Sequence, residues 1–271
     1  MSKTGIIGCG KMGRALLVGA IRKGAIAAED VYAYNRSQGG IDELLKEEPV
    51  KVAESVAELA GACEVILLCT KPDDVPSALR TLGEVARPQG TLVISVAAGV
   101  TLEALEKAAG PGVRVIRSMP NTPSLVGEGA SAFCLGSQAT AEDAEVARRI
   151  LGSVGVAVEV KEKLMDAVTG LSGSGPAYVF TFIEALTDGA VRNGLPRDKA
   201  LDLAVQTVVG AATMIRETGM HPAVLRDMVT SPGGTTITGV AALEKGNFRS
   251  TCIEAVSAAT KRSRSLGRPR R

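Results

Sequence analysis

Histidine occurs once in this chain, at His221, and tryptophan is missing altogether. Four phenylalanines and three tyrosines are the whole aromatic complement. A Ser-His-Asp triad, or a zinc site built on imidazoles, is poorly served by such a composition. The cysteines Cys9, Cys63, Cys69, Cys134 and Cys252 are odd in number, contain no CxxC pair and fall mostly in apolar runs. They read as reduced core thiols of a cytoplasmic protein, not as a disulfide framework, and no metal is expected. Nowhere do about 18 apolar residues run without a charge, so no membrane-spanning or targeting segment is expected. The formal net charge is +2, near balance, which argues against binding of nucleic acid or a membrane surface by the protein as a whole. The basic stretch Lys261, Arg262, Arg264, Arg268, Arg270 and Arg271 lacks interleaved aromatics and reads as a solvated end. With so few reactive side chains, the chemistry is expected to come from a cofactor.

The chain has 271 residues, 45% of them apolar, which suits two domains with their own cores. Short β-branched runs alternate with helical periodicity up to about residue 160. Strands are expected at Gly5–Ile7, Val31–Tyr34, Val50–Val52, Val65–Cys69, Leu92–Val96, Val113–Arg117, Ser131–Leu135 and Val156–Val160. Helices are expected between them at Lys11–Lys23, Asp42–Glu47, Asp73–Val85, Leu102–Ala109 and Ala141–Leu151. That alternation predicts an α/β domain with a doubly wound, mostly parallel sheet over residues 1–162. From about Leu164 the strand signal vanishes. Ala177–Asn193, Lys199–Glu217 and part of Ala255–Ser263 carry apolar residues at three- and four-residue steps, nearly all round in places. They predict an all-helical domain over 163–271, joined near Glu159–Met165, with apolar faces that need a second subunit.

The first strand runs into Gly8-Cys9-Gly10-Lys11-Met12-Gly13, a GxGxxG placed between a strand and an apolar helix. In that position it is a dinucleotide fingerprint: Gly8 permits the turn, Gly10 admits the pyrophosphate to the backbone, and Gly13 lets helix and strand pack closely. The second strand ends in Asn35-Arg36-Ser37 with no acid to hold ribose hydroxyls. A guanidinium with small polar neighbours suits a 2′-phosphate, so NADPH is expected ahead of NADH; the alternative is an Arg36 that only meets solvent. Cys69-Thr70-Lys71-Pro72 and Ala97-Ala98-Gly99 follow later strands, where they either border the cofactor or simply connect elements.

In the helical half, Thr230–Ile237 reads TSPGGTTI and is followed by helical spacing. Paired glycines let a ligand approach the peptide N–H groups, and a helix start favours an anion; the competing reading is a tight interhelical turn. Together with this segment, GIIGCGKMG, CTKPDDV, SVAAGVTLE, VIRSMPNTP, VTGLSGSGPAYVF and DMVTSPGGTTITGVAALEKGNFR resemble pyrroline-5-carboxylate reductase, in order from residue 5 to residue 249.

The resemblance implies a Rossmann domain, a helical dimerisation domain, often higher assemblies of dimers, and NAD(P)H-dependent reduction of the cyclic imine 1-pyrroline-5-carboxylate to L-proline. Ser231, Gly233, Gly234 and Thr235 then form the carboxylate cradle, and Thr236 is implied to hydrogen-bond the ring nitrogen. Asn121, in MPNTP, faces the cofactor or belongs to a proline-fixed turn. Ser174, in LSGSGP, lines the nicotinamide pocket or lies in a glycine turn that lets domains pack.

Lys11 stands where that family often has Asn, Thr238 occupies a variable position, and Gly267–Arg271 matches no motif of it. The nearest rival is a β-hydroxyacid dehydrogenase. Its GxxGxGxxxKxxxN signature can be laid on Gly170, Gly173 and Gly175, but its lysine then falls on Val179 and its asparagine on Ile183. A non-catalytic nucleotide-binding protein is a second alternative.

Overall fold

A computed structural model of the chain describes residues 2–85 and 90–267. Arg268, Arg270 and Arg271 of the expected basic end lie outside the described residues. Eight strands are present among them: β1 Thr4–Ile7, β2 Val31–Tyr34, β3 Lys51–Val52, β4 Val65–Leu68, β5 Thr91–Ser95, β6 Val113–Met119, β7 Gly129–Leu135 and β8 Gly155–Glu159. They form one sheet in the order β3-β2-β1-β4-β5-β6-β7-β8. Every pairing is parallel except β6 with β7.

The helices are α1 Lys11–Arg22, α2 Gln38–Glu47, α3 Val56–Ala62, α4 Val75–Glu84, α5 Leu102–Ala109, α6 Ala141–Gly152, α7 Met165–Val168, α8 Gly175–Arg192, α9 Arg197–Thr218, α10 Pro222–Met228, α11 Thr235–Lys245 and α12 Phe248–Leu266. Helix α3 was not expected. It is short and rich in Ala and Gly, but Ser55 accepts the Glu58 N–H at 3.1 Å and Glu58 accepts the Glu54 N–H at 2.7 Å. The Ser-x-x-Glu pattern was the available signal.

The central strands are buried on both faces, so their side chains divide by the period of two. Ile6, Leu67 and Ile94 join Leu16, Leu17, Leu44, Ile150 and Leu151 in one cluster. Their neighbours Ile7, Ile66, Leu68 and Val93 join Leu59, Leu79, Leu82 and Leu105 in another. Each fully buried aliphatic side chain of this kind contributes roughly 1.5–3 kcal/mol.

The chain forms two compact units, Met1–Ser174 with Ala258–Arg271, and Gly175–Ser257. Thus the last part of α12 belongs with the sheet, where Ser263 donates to Asp166 at 2.7 Å. In the helical unit α8 and α9 pack on each other, Phe182 and Phe248 stack at a tilt with centroids 5.6 Å apart, and Tyr178 donates to the Ala255 carbonyl. Among its described residues only Thr187, Ala200 and Ala204 are buried, while Phe180, Leu203, Val209 and Ile253 lie open.

Candidate active site

The strand order reverses its direction of winding between β1 and β4, and in such sheets the crevice beyond the carboxyl ends of those strands receives the ligand. A cavity of about 390 Å³ opens there. It brings together Gly8, Gly10, Asn35, Arg36, Ser37, Cys69, Thr70 and Lys71 from the sequence expectation. Tyr34, Asp74, Ser77 and Thr81 also line it. The polar i,i+4 pair Ser77 and Thr81, on a helix that otherwise buries Val75, Leu79 and Leu82, was the signal for that wall.

The three glycines of the fingerprint have distinct surroundings. Gly8 has φ +101°, and a Cβ there would stand 2.6 Å from the Cys69 carbonyl oxygen. A Cβ on Gly13 would strike the Gly8 carbonyl oxygen. Around Gly10 nothing lies within 4 Å, so the absent side chain leaves open space at the helix start. No side chain caps α1. Its first backbone bond is Arg14 N–H to the Gly10 carbonyl at 2.9 Å, leaving the N–H groups of Lys11, Met12 and Gly13 at the free positive end of the helix.

Below that end, Cys9 N–H donates to Asn35 Oδ1 at 3.0 Å, and Asn35 Nδ2 donates to the Ser37 carbonyl at 2.7 Å, tying the glycine loop to the end of β2. Ser37 starts α2 without capping it. Arg36 is largely exposed and pairs with Asp74 at 3.1 Å. The Thr70 hydroxyl is buried without a hydrogen-bond partner. An open glycine, an uncapped helix start, exposed cations and an orphaned hydroxyl fit a phosphorylated dinucleotide.

The thiols here are not nucleophiles. Burial pushes Cys9 up to about 11, while burial and then the neighbouring Cys9 push Cys69 up to about 12. The remaining expected contacts lie outside the cavity lining. Ala97 is buried, with its N–H on Ser95 Oγ, and a Cβ on Gly99 (φ +78°) would stand 3.6 Å from Leu266 Cβ. Pro72 opens a 3-10 turn before α4, and Ser174 closes a π-helical turn, Thr169–Gly173. Asn121 accepts the Ala130 N–H at 2.8 Å and donates to the Ser172 carbonyl at 3.0 Å, so both ends of its amide are engaged.

The second construction lies within the helical unit. Gly233 takes φ +66° with open space where a Cβ would point, and the Gly234 N–H closes a turn onto the Ser231 carbonyl at 3.1 Å. Gly234 starts α11, again with no side-chain cap. The first backbone bond is Thr238 N–H to Gly234, so the N–H groups of Thr235, Thr236 and Ile237 share an unfilled helix start. Thr181, Thr187, Thr207, Thr218, Thr230, Thr238 and Thr251 all donate to the carbonyl four residues back. The hydroxyls of Thr235 and Thr236 have no partner among the described residues.

A wound parallel sheet with this crevice, followed by helices with an anion-ready corner, defines a Rossmann-type dinucleotide-dependent oxidoreductase. A family model described as pyrroline-5-carboxylate reductase dimerisation matches residues 162–266, and one described as NADP oxidoreductase, coenzyme F420-dependent, matches residues 3–99. A pyrroline-5-carboxylate reductase of Methanosarcina acetivorans is 46% identical over 98% of this chain and 98% of its own. The solved structure of a pyrroline-5-carboxylate reductase from Coxiella burnetii superposes with TM-score 0.94 at 36% identity, covering 99% of both chains. That of the Plasmodium falciparum pyrroline carboxylate reductase with NADP bound gives TM-score 0.86 at 36% identity over 98% of both. The chain belongs to the pyrroline-5-carboxylate reductase family. Among the described residues, no helix is long and apolar enough to cross a membrane.

Proposed function

We propose that the chain reduces 1-pyrroline-5-carboxylate to L-proline, the last step of proline biosynthesis, with NADPH preferred over NADH. The helical domain joins two copies, and the enzyme works in a reducing compartment such as the cytoplasm. The observation that carries the reading is the pair of uncapped, glycine-started helices, α1 and α11, each aimed at an anion by its free N–H groups.

Gly8, Gly10 and Gly13, with the amides of Lys11 and Met12, would hold the pyrophosphate, while Cys9 N–H keeps the loop on Asn35. Asn35, Arg36 and Ser37 would hold the adenosine 2′-phosphate, a preference supported by the absence of an acid at the end of β2. Cys69, Thr70, Lys71 and Pro72, then Ala97, Ala98 and Gly99, would border the rest of the cofactor, with Ser174 at its far end; Asn121, whose amide is engaged at both ends, would support that end without touching the cofactor. Reduced nicotinamide, when bound, supplies a hydride.

Ser231, Gly233, Gly234 and Thr235 grip the substrate carboxylate, and the start of α11 adds a favourable field. The Thr236 hydroxyl accepts the N–H of the protonated ring imine and fixes the C=N bond in orientation. Hydride addition to that carbon neutralises the iminium to a secondary amine, so the balance needs no proton from the protein. Positioning then supplies most of the rate, of which well-aligned reactants gain roughly 7–11 kcal/mol.

The test is NADPH consumption with 1-pyrroline-5-carboxylate, beside NADH and beside oxidation of 3-hydroxyisobutyrate. Turnover of the imine fastest with NADPH, and none of the hydroxyacid, is expected. Hydroxyacid oxidation without imine reduction, or no turnover at all, would overturn the reading in favour of its rivals.

A further inference from the structure

Between α7 and α8 the chain swells into one π-helical turn, Thr169–Gly173, closed by the Ser174 N–H on the Thr169 carbonyl at 2.9 Å. The sequence supplies the cause. Four residues after Ser172 stands Pro176, which has no N–H to offer the Ser172 carbonyl and whose ring crowds it in an α-helix. The carbonyl turns instead to Asn121 Nδ2 at 3.0 Å. Asn121 is itself buried and anchored on β7 through Ala130 N–H at 2.8 Å, so one amide bridges the sheet and the swollen turn. Met119, two residues before it, packs its Sδ-methyl end where a Cβ of Gly173 would sit.

A π-turn carries one more residue than the α-helix it interrupts, and each residue turns a helix by about 100°. Holding or losing the turn therefore decides where Ser172 and Ser174 face. We infer that Asn121 is a positioning residue, which replaces the hydrogen-bond donor that Pro176 lacks and so keeps the Thr169–Gly173 turn and Ser174 in place for the reaction. The kinetic part of this inference rests on the proposed reductase activity; the structural part does not.

Asn121→Asp is the sharpest variant, because it keeps the acceptor for Ala130 and removes the donor to Ser172. The intact chain is expected to exchange its Ser174 amide proton about tenfold faster in this variant, with kcat for the imine down about tenfold and NADPH Kd within twofold of wild type. Asn121→Ser, equally unable to reach Ser172, carries the same test should the buried carboxylate prevent folding. A tenfold weaker NADPH Kd with unchanged Ser174 exchange would overturn the inference by making Asn121 a cofactor contact. So would faster exchange throughout the chain, or kinetics and exchange like wild type. A wild-type protein that leaves the imine untouched defeats the activity reading alone, since exchange at Ser174 still reports on the bridge.

Discussion

The two units use one device, a glycine-started helix left without a cap, in opposite settings. In the sheet-containing unit α1 rests on a finished core, with Leu16, Leu17 and Ala20 fully buried. In the helical unit α11 belongs to an assembly in which Phe180 is 64% exposed and Leu203 59%. Four other helices carry a side-chain cap: Ser55, Thr101, Thr140 and His221 cap α3, α5, α6 and α10. An uncapped start forgoes about 1 kcal/mol; α4 and α9 forgo it too, so what sets α1 and α11 apart is the glycine that leaves their first N–H groups open. The sheet unit closes a core of its own, whereas the helical unit leaves many of its apolar side chains open.

The largest effect should come from deepening that asymmetry. Val209→Glu, on the open face of α9, is expected to abolish self-association in light scattering and to lower activity by more than a hundredfold, with NADPH binding retained. A stable dimer in this variant would place the interface elsewhere. Next, Thr236→Ala should cost roughly 1.5–3 kcal/mol of transition-state stabilisation, read as a fall in kcat/KM for the imine with cofactor binding unchanged. Gly10→Ala should leave the melting temperature alone, because the space around it is open, yet weaken NADPH about tenfold by filling the approach to α1.

The smallest effect is in pH dependence. Cys9 and Cys69 ionise more readily in the unfolded chain than in the fold, where burial raises them from 9.0 to about 11 and about 12. The unfolded state therefore binds fewer protons above the ordinary thiol value, and stability must fall as pH rises from there towards the folded values. Each thiol contributes a slope of up to about 1.4 kcal/mol per pH unit. Cys9→Ala should flatten that decline in chemical denaturation between pH 9.0 and about 11.

Much of the architecture was legible because local and global signals agree. All eight strands could be read from β-branched runs, and β2 to the residue. The fingerprint glycines could be assigned separate duties because each duty is a steric consequence of a missing Cβ. What stayed hidden depends on long-range partners. The engagement of Asn121 with Ser172 spans 51 positions, and the approach of Gly99 to Leu266 brings distant segments together. The pocket wall from Ser77 and Thr81 required knowing which face of α4 meets the sheet. Pro176 was visible, but its effect on a carbonyl four residues earlier emerges only once the helix is seen to run through that point.

Comparison of 1-pyrroline-5-carboxylate with 1-pyrroline, which keeps the C=N bond and lacks the acid, bears most directly on the α11 corner. In NADPH consumption by the intact enzyme, kcat/KM should fall at least a hundredfold when the carboxylate is removed, about 2.7 kcal/mol. Equal efficiency with both imines would mean that the free N–H groups of Thr235, Thr236 and Ile237 hold no carboxylate.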